Sequence, residues 1–413
     1  MELPTDLAAR CAADGELLLA VRHWTGGIRL VIGDATIGAS FVDGRVEDRV
    51  PDAGDDVIEL SGPVEVWEQL LAPVPPRFLN DVAVAATSGL RVPSDRLLYW
   101  QYLPAVARLV ELLRPPAYLP SPPQPAPPPP GTWDAATGGY VHVRLDGLDH
   151  RIYVEQAGDG IPVLLQHTAG SHGSQWRHLM ERPEITDHFR LIAYDLPFHG
   201  KSVPPDGRDW WTEPYRLTGD FLRSVPVNLA EALGLDRPVF MGCSVGGLLA
   251  LDLAYHHPDA FRAVISLEGA VHIDGDLDAL HAFWHPQVSN EAKARLMDGL
   301  MSPTSPVARR RETTQLYAAG WPPAFLGDLH YYLEDYDLRK VAHEIDTTRV
   351  AVHILSGEYD YSGSVELGRE AHDAIEGSTF TEMPGLGHFP MSEDPDRFVG
   401  HLLPVLDALR STA

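Results

Sequence analysis

At 413 residues the chain exceeds one ordinary hydrophobic core, so two domains are expected. Apolar residues at 44% and charged residues at 22% exclude a fibrous or wholly disordered polymer. With 32 basic against 58 acidic residues the formal net charge is -26, a field that argues against nucleic acid or an anionic lipid surface as partner.

Residues 1–20 intersperse Glu2, Asp6 and Asp14 among apolar positions, unlike the basic start and apolar run of a secretory signal. Nowhere does an apolar stretch approach the ~20 residues that cross a bilayer, so no membrane span is expected. Cys11 and Cys243 alone build no disulfide framework, which fits a reducing, cytoplasmic setting. Residues 1–113 read as a small α+β domain. Alternation over 28–32 and 39–42 around Gly33 and Gly44, and the run 57–60, predict short strands, while 63–71 begins like a helix and 99–113 is amphipathic. The stretch Asp56-Val57-Ile58-Glu59-Leu60-Ser61-Gly62-Pro63-Val64-Glu65-Val66-Trp67 with Ser88-Gly89-Leu90 resembles sterol-carrier-protein-like domains. That resemblance implies a lipid-binding scaffold. No catalytic constellation falls here, and a packing module through which the chain forms a homo-oligomer is the expected role.

Ten prolines between Pro115 and Pro130 mark 114–133 as a stiff spacer, since such runs favour an extended conformation rising about 3.1 Å per residue. Beyond it, strand-like and helix-like segments alternate, the pattern of an α/β fold with a mostly parallel sheet flanked by helices. A hairpin over 140–145 and 151–155 turns at Asp146-Gly147, and 161–166, 191–195, 238–242, 263–267 and 350–355 are buried apolar runs. Helices are expected over 217–235, 246–256, 364–375 and 395–409. The core is thus expected over 134–270 and 346–413, interrupted over 271–345 by a helical, aromatic-rich cap. Its Trp284 and Trp321 would meet an apolar substrate over the carboxyl ends of the strands.

Four places carry chemistry. After 161–166 the chain turns through His167-Thr168-Ala169-Gly170-Ser171-His172-Gly173-Ser174-Gln175-Trp176, small and glycine-rich before a helix. His172 lies beside this turn as a substrate contact or as a cap of the next helix. Val239 to Leu248 is a strand, the Gly-x-Ser-x-Gly turn Gly242-Cys243-Ser244-Val245-Gly246, and a helix. A tight turn of this kind strains Ser244 and lifts its hydroxyl above the sheet, with the Val245 N–H aimed at an oxyanion. Asp360 follows the run 350–355, and His388 sits in Gly385-Leu386-Gly387-His388-Phe389-Pro390. Serine, acid and histidine in that order make a nucleophile, an orienting acid and a base. Glu268, which ends 263–267, is the alternative acid.

These residues, with Tyr194-Asp195-Leu196-Pro197-Phe198-His199-Gly200-Lys201-Ser202, resemble the α/β-hydrolase superfamily from about Gly138 to Leu409. The resemblance implies that fold and an oxyanion N–H on Ala169. Thr168 stands where the family usually has glycine and is an alternative donor; Pro197 and His199 also depart from the usual pattern. Ser244 argues against the branches that use aspartate as nucleophile. The expected activity is a serine hydrolase cleaving an ester or lactone of a bulky apolar small molecule, with no metal and no organic cofactor. The alternatives are a carbon-carbon bond hydrolase of a dienoate-type ring-cleavage product, which needs a cation such as Arg177 or Arg309 to Arg311, and a non-catalytic binding protein on the same scaffold.

Overall fold

The computed structural model describes residues 4–117 and 126–411, so the middle of the expected 114–133 spacer lies outside the described residues. The chain divides into two compact units, Met1–Pro120 with Ala279–Thr304, and Ser121–Asp278 with Ser305–Ala413.

The first unit carries strands β1 (Gly26–Ile32), β2 (Ala35–Val42), β3 (Arg45–Glu47) and β4 (Val57–Gly62) in the order β3-β2-β1-β4. Strand β1 pairs antiparallel with β2 and parallel with β4. Ile28, Leu30 and Ile32 are buried on alternate positions of β1, the period that puts one face of a sheet on a core. The expected helix over 99–113 is broken into Leu97–Gln101 and Leu103–Leu113, with Pro104 in the first turn of the second, where its missing N–H leaves no bond unmade. Helices Leu7–Ala13 and Gly15–Val21 were not anticipated; Asp14 splits their apolar pattern and caps the second by accepting from Leu17 N at 2.8 Å.

Residues 279–304 belong to this unit, which corrects the expectation of a single cap over 271–345. The helix Asn290–Gly299 is held by Arg295, whose Nη2 meets Asp81 Oδ2 and Glu111 Oε1 at 2.8 Å each and whose Nη1 meets Asp298 Oδ2 at 2.7 Å. Asn80 Nδ2 donates to Gly299 O at 2.8 Å and to Met301 O at 3.2 Å, satisfying carbonyls at the end of that helix.

The second unit holds β5 (Thr137–Leu145), β6 (Leu148–Ala157), β7 (Ile161–Gln166), β8 (Phe189–Tyr194), β9 (Val239–Cys243), β10 (Ala263–Leu267), β11 (Ala351–Gly357) and β12 (Thr379–Met383). Their order is β12-β11-β10-β9-β7-β8-β6-β5. Strands β7 to β12 are parallel and β6 runs against β5 and β8. Asp146 and Gly147 turn the β5-β6 hairpin with φ 49° and 76°, the pair of positive values that matches strand twist and that Asp-Gly supplies. Strands β9 and β10 are buried at every position, and the helix Val245–His256 is buried along residues 245–254, because both faces of the central sheet are covered. The remainder of the insertion supplies the helices Val307–Ala318 and Pro322–His330.

Candidate active site

Between β9 and the helix Val245–His256, Ser244 has φ 59° and ψ -115°, a left-handed conformation that costs a residue with a Cβ about 1–3 kcal/mol and persists only where the surroundings impose it. They do so here. Ser244 N donates to Leu267 O at 3.0 Å, and a Cβ on Gly242 would lie 2.3 Å from Gly246 O. A Cβ on Gly246 would lie 2.8 Å from the Gln166 side chain, so β7 packs directly against the turn. Ser244 is 6% exposed, and Tyr332 OH and Ser362 Oγ share a hydrogen bond of 2.9 Å. Burial, with Asp360 nearby, raises the Tyr332 pKa, so its phenol stays neutral.

His388 Nδ1 and Asp360 Oδ2 are 2.7 Å apart, with both side chains buried. Asp360 also accepts from Ser362 N at 2.8 Å and Gly363 N at 3.0 Å. Glu268 sits on a different set of partners. Gly357 N donates to both of its oxygens, at 3.0 and 2.8 Å, and its carboxyl is hydrogen-bonded to Asp360. Burial first, and then the charge of Asp360, raise the Glu268 pKa well above the carboxylate range. A protonated Glu268 donating to Asp360 satisfies this geometry. Next to Ser244, Cys243 Sγ donates to His388 O at 3.1 Å, and burial among Glu268, Asp360 and Glu393 raises its pKa, keeping the thiol neutral.

Glu268→Gln offers one oxygen to Gly357 N and one N–H to Asp360, copying the protonated acid. A carboxyl whose folded pKa is raised adds stability fully below its unfolded value and loses it as pH rises through the folded value. Wild-type thermal stability therefore falls as pH climbs above the ordinary glutamate range, and Glu268→Gln is expected to remove that slope while keeping kcat within about threefold, since no bond to the histidine is lost. Thermal unfolding between pH 5 and 9 measures the slope.

In the turn after β7, Thr168 N and Thr168 Oγ1 both donate to Gln175 Oε1 at 3.0 Å, and the Thr168 hydroxyl also bonds Tyr317. Thr168 N is thus committed inside the protein, which corrects its reading as an alternative oxyanion donor. Gly170 N donates to Asp328 Oδ2 at 2.7 Å, and Ala169 lies between these two engaged amides. Sequence reasoning missed Tyr332, Tyr317 and Asp328, because nothing in an aromatic-rich helical segment says which side chains turn toward the sheet.

His172 occupies the position before the short helix Gly173–Trp176 but makes no capping bond. It lines a cavity of about 480 Å³ with Trp321, Phe198, Lys201 and Glu155. Burial lowers the His172 pKa, partly offset by Asp195. Trp321 stacks on Phe198 with centroids 5.9 Å apart. Trp284 belongs to the first unit and is 48% exposed. Arg177 Nε and Arg309 Nη1 are tied to Glu312 at 2.8 and 3.0 Å, with His178 on the same carboxylate at 2.8 Å.

Comparison with known proteins sets this geometry in context. The family described as the alpha/beta hydrolase fold matches residues 161–395. A 2-hydroxy-6-oxo-2,4-heptadienoate hydrolase of Pseudomonas putida is 27% identical over 62% of this chain and 92% of its own. A pimeloyl-[acyl-carrier protein] methyl ester esterase of Methylococcus capsulatus is 30% identical over 52% of this chain and 83% of its own. A thermophilic esterase from Thermogutta terrifontis superposes with a TM-score of 0.58 at 20% identity, over 66% of this chain and 99% of that one, a likeness of fold. The family match does not reach residues 1–160, the stretch with the expected sterol-carrier likeness included.

Proposed function

Because this chain belongs to the α/β-hydrolase family, we propose that it is a serine hydrolase cleaving a carboxylic ester or lactone of a bulky apolar substrate through an acyl-enzyme on Ser244. The observation that carries the reading is the buried 2.7 Å bond between His388 and Asp360 in the same unit as a strained, buried Ser244. With Asp360 on Nδ1, His388 presents Nε2 as the base that takes the Ser244 proton while Oγ attacks the carbonyl carbon. The tetrahedral oxyanion is stabilised by the Val245 and Ala169 N–H groups, the first at the amino end of a helix. Collapse expels the alcohol with the proton returned by His388, and a water activated by the same nitrogen releases the acid. The aromatic group around Trp321 and Phe198 supports an apolar substrate.

A second reading, carbon-carbon bond hydrolysis of a dienoate, is favoured by the Pseudomonas putida relative. It needs a cation for the substrate carboxylate, and the pairing of Arg177 and Arg309 with Glu312 leaves the ester reading preferred. The deciding experiment presents aryl esters, large lactones and a dienoate to wild type and Ser244→Ala, alongside labelling by a fluorophosphonate. Ester or lactone turnover and labelling that both vanish in the variant are expected. Turnover confined to the dienoate transfers the assignment to the second reading, and a wild type that is neither labelled nor active sinks both in favour of a binding scaffold.

A further inference from the structure

His199 and Thr168, two positions that depart from the family's usual pattern, both contact the inserted segment. The Thr168 hydroxyl bonds Tyr317 of the helix Val307–Ala318, and His199 Nε2 lies 2.8 Å from Asp328 Oδ2 of the helix Pro322–His330. His199 and Asp328 side chains are 1% and 0% exposed. The oxygen that meets His199 also accepts from Gly170 N at 2.7 Å, and Tyr215 OH donates to the other carboxylate oxygen at 3.3 Å.

We propose that Asp328 is a positioning residue that fixes the turn after β7, so that this turn keeps its shape only while the helix Pro322–His330 is seated on it. The inference rests on reading the Ala169 N–H as an oxyanion donor. Gly170 is the next residue along, and a hydrogen bond on its amide fixes the peptide plane that follows Ala169, one α-carbon away from the plane that carries the Ala169 N–H. The anchor is charged. His199 Nδ1 faces Pro197 O at 3.0 Å while Nε2 faces the carboxylate, and a neutral imidazole has only one N–H to give to these two acceptors. A protonated ring satisfies both. Burial opposes that charge, but Asp328, the Pro197 carbonyl and Asp195 outweigh it and raise the His199 pKa. His167 and His172, the other titratable groups beside the ring, are shifted the opposite way by burial and by His199 itself, and Tyr215 is held neutral by burial. Lys201 and Glu155 reach the cluster through His172.

A histidine with a raised folded pKa contributes fully below its unfolded value and loses that contribution as pH rises through the folded value. The clamp therefore loosens on the alkaline side, and kcat is expected to fall there as pH rises.

The test compares wild type, Asp328→Ala and Asp328→Asn by hydrogen exchange of residues 167–176, corrected for intrinsic exchange, and by steady-state kinetics across pH. Asp328→Ala is expected to lower protection of the turn at least tenfold and kcat by roughly 10²-fold, with KM changed little, as for loss of one well-placed oxyanion donor. Asp328→Asn keeps an oxygen for Gly170 N without the charge; it is expected to recover most of kcat and to lose the alkaline fall that wild type shows. Unchanged protection in Asp328→Ala overturns the clamp whether or not the protein is active. Lost protection with wild-type kcat overturns its link to the chemistry, as does an Asp328→Asn profile identical to wild type. Absence of fluorophosphonate labelling in wild type overturns the hydrolase reading instead, and exchange, which needs no turnover, still reports on the turn.

Discussion

Asp360→Ala is expected to lower kcat about 10⁴-fold with little change in KM, the scale on which an orienting acid acts in a serine–histidine–acid system. Without the carboxylate, the His388 ring loses the partner that selects its tautomer and steadies the imidazolium formed as Ser244 is deprotonated. Glu268 does not replace it, because both of its oxygens are engaged by Gly357 N. The substitution also strands the Ser362 and Gly363 N–H groups, each costing about 1–3 kcal/mol if no water reaches it. Thermal unfolding beside steady-state kinetics separates the two effects. A variant within tenfold of wild type, together with an inactive Glu268→Gln, would hand the role of acid to Glu268.

Arg295→Met is expected to destabilise the first unit by about 3–5 kcal/mol, read as a shift in its urea unfolding midpoint. The guanidinium makes three ion pairs, and Asp81 and Asp298 are almost wholly buried around it. Removing the cation takes the shared partner from these buried carboxylates, which must then be protonated or hydrated at the expense of the packing of the helix Asn290–Gly299. The present balance is set by those neighbours: burial disfavours the Arg295 charge, and Asp81, Asp298 and Glu111 more than restore it. A midpoint unchanged within error would show that this cluster adds nothing to the unit's stability.

What the sequence disclosed was whatever a local rule governs. The apolar runs of β7, β9 and β10 are legible because strands covered on both faces have no alternation to lose, and Asp146-Gly147 is legible because few dipeptides accept two positive φ values. Ser244 announces itself through the glycines its turn demands. The choice between Asp360 and Glu268 was open because both end neighbouring parallel strands, and only the third dimension shows one carboxyl against His388 and the other behind it. The extent of the cap was misjudged for a related reason: contiguity along 271–345 suggested one packed piece, whereas residues 279–304, with Arg295 buried among Asp81, Glu111 and Asp298, belong to the first unit. The engagement of His199 by Asp328 joins positions 129 residues apart, beyond the reach of any periodicity.

The divided insertion bears on how the chain is made. A unit assembled from Met1–Pro120 and Ala279–Thr304 cannot complete itself as its first part leaves the ribosome. The 184 residues from Pro120 to Thr304 take roughly 10–40 s to add at about 5–20 residues per second, and Arg295, the cation that pairs with Asp81, is added only within that interval. The order of synthesis is therefore not the order of folding: the amino-terminal unit closes only after β9 and the Ser244 turn have been translated, and a nascent chain arrested before residue 290 would leave Asp81 without Arg295.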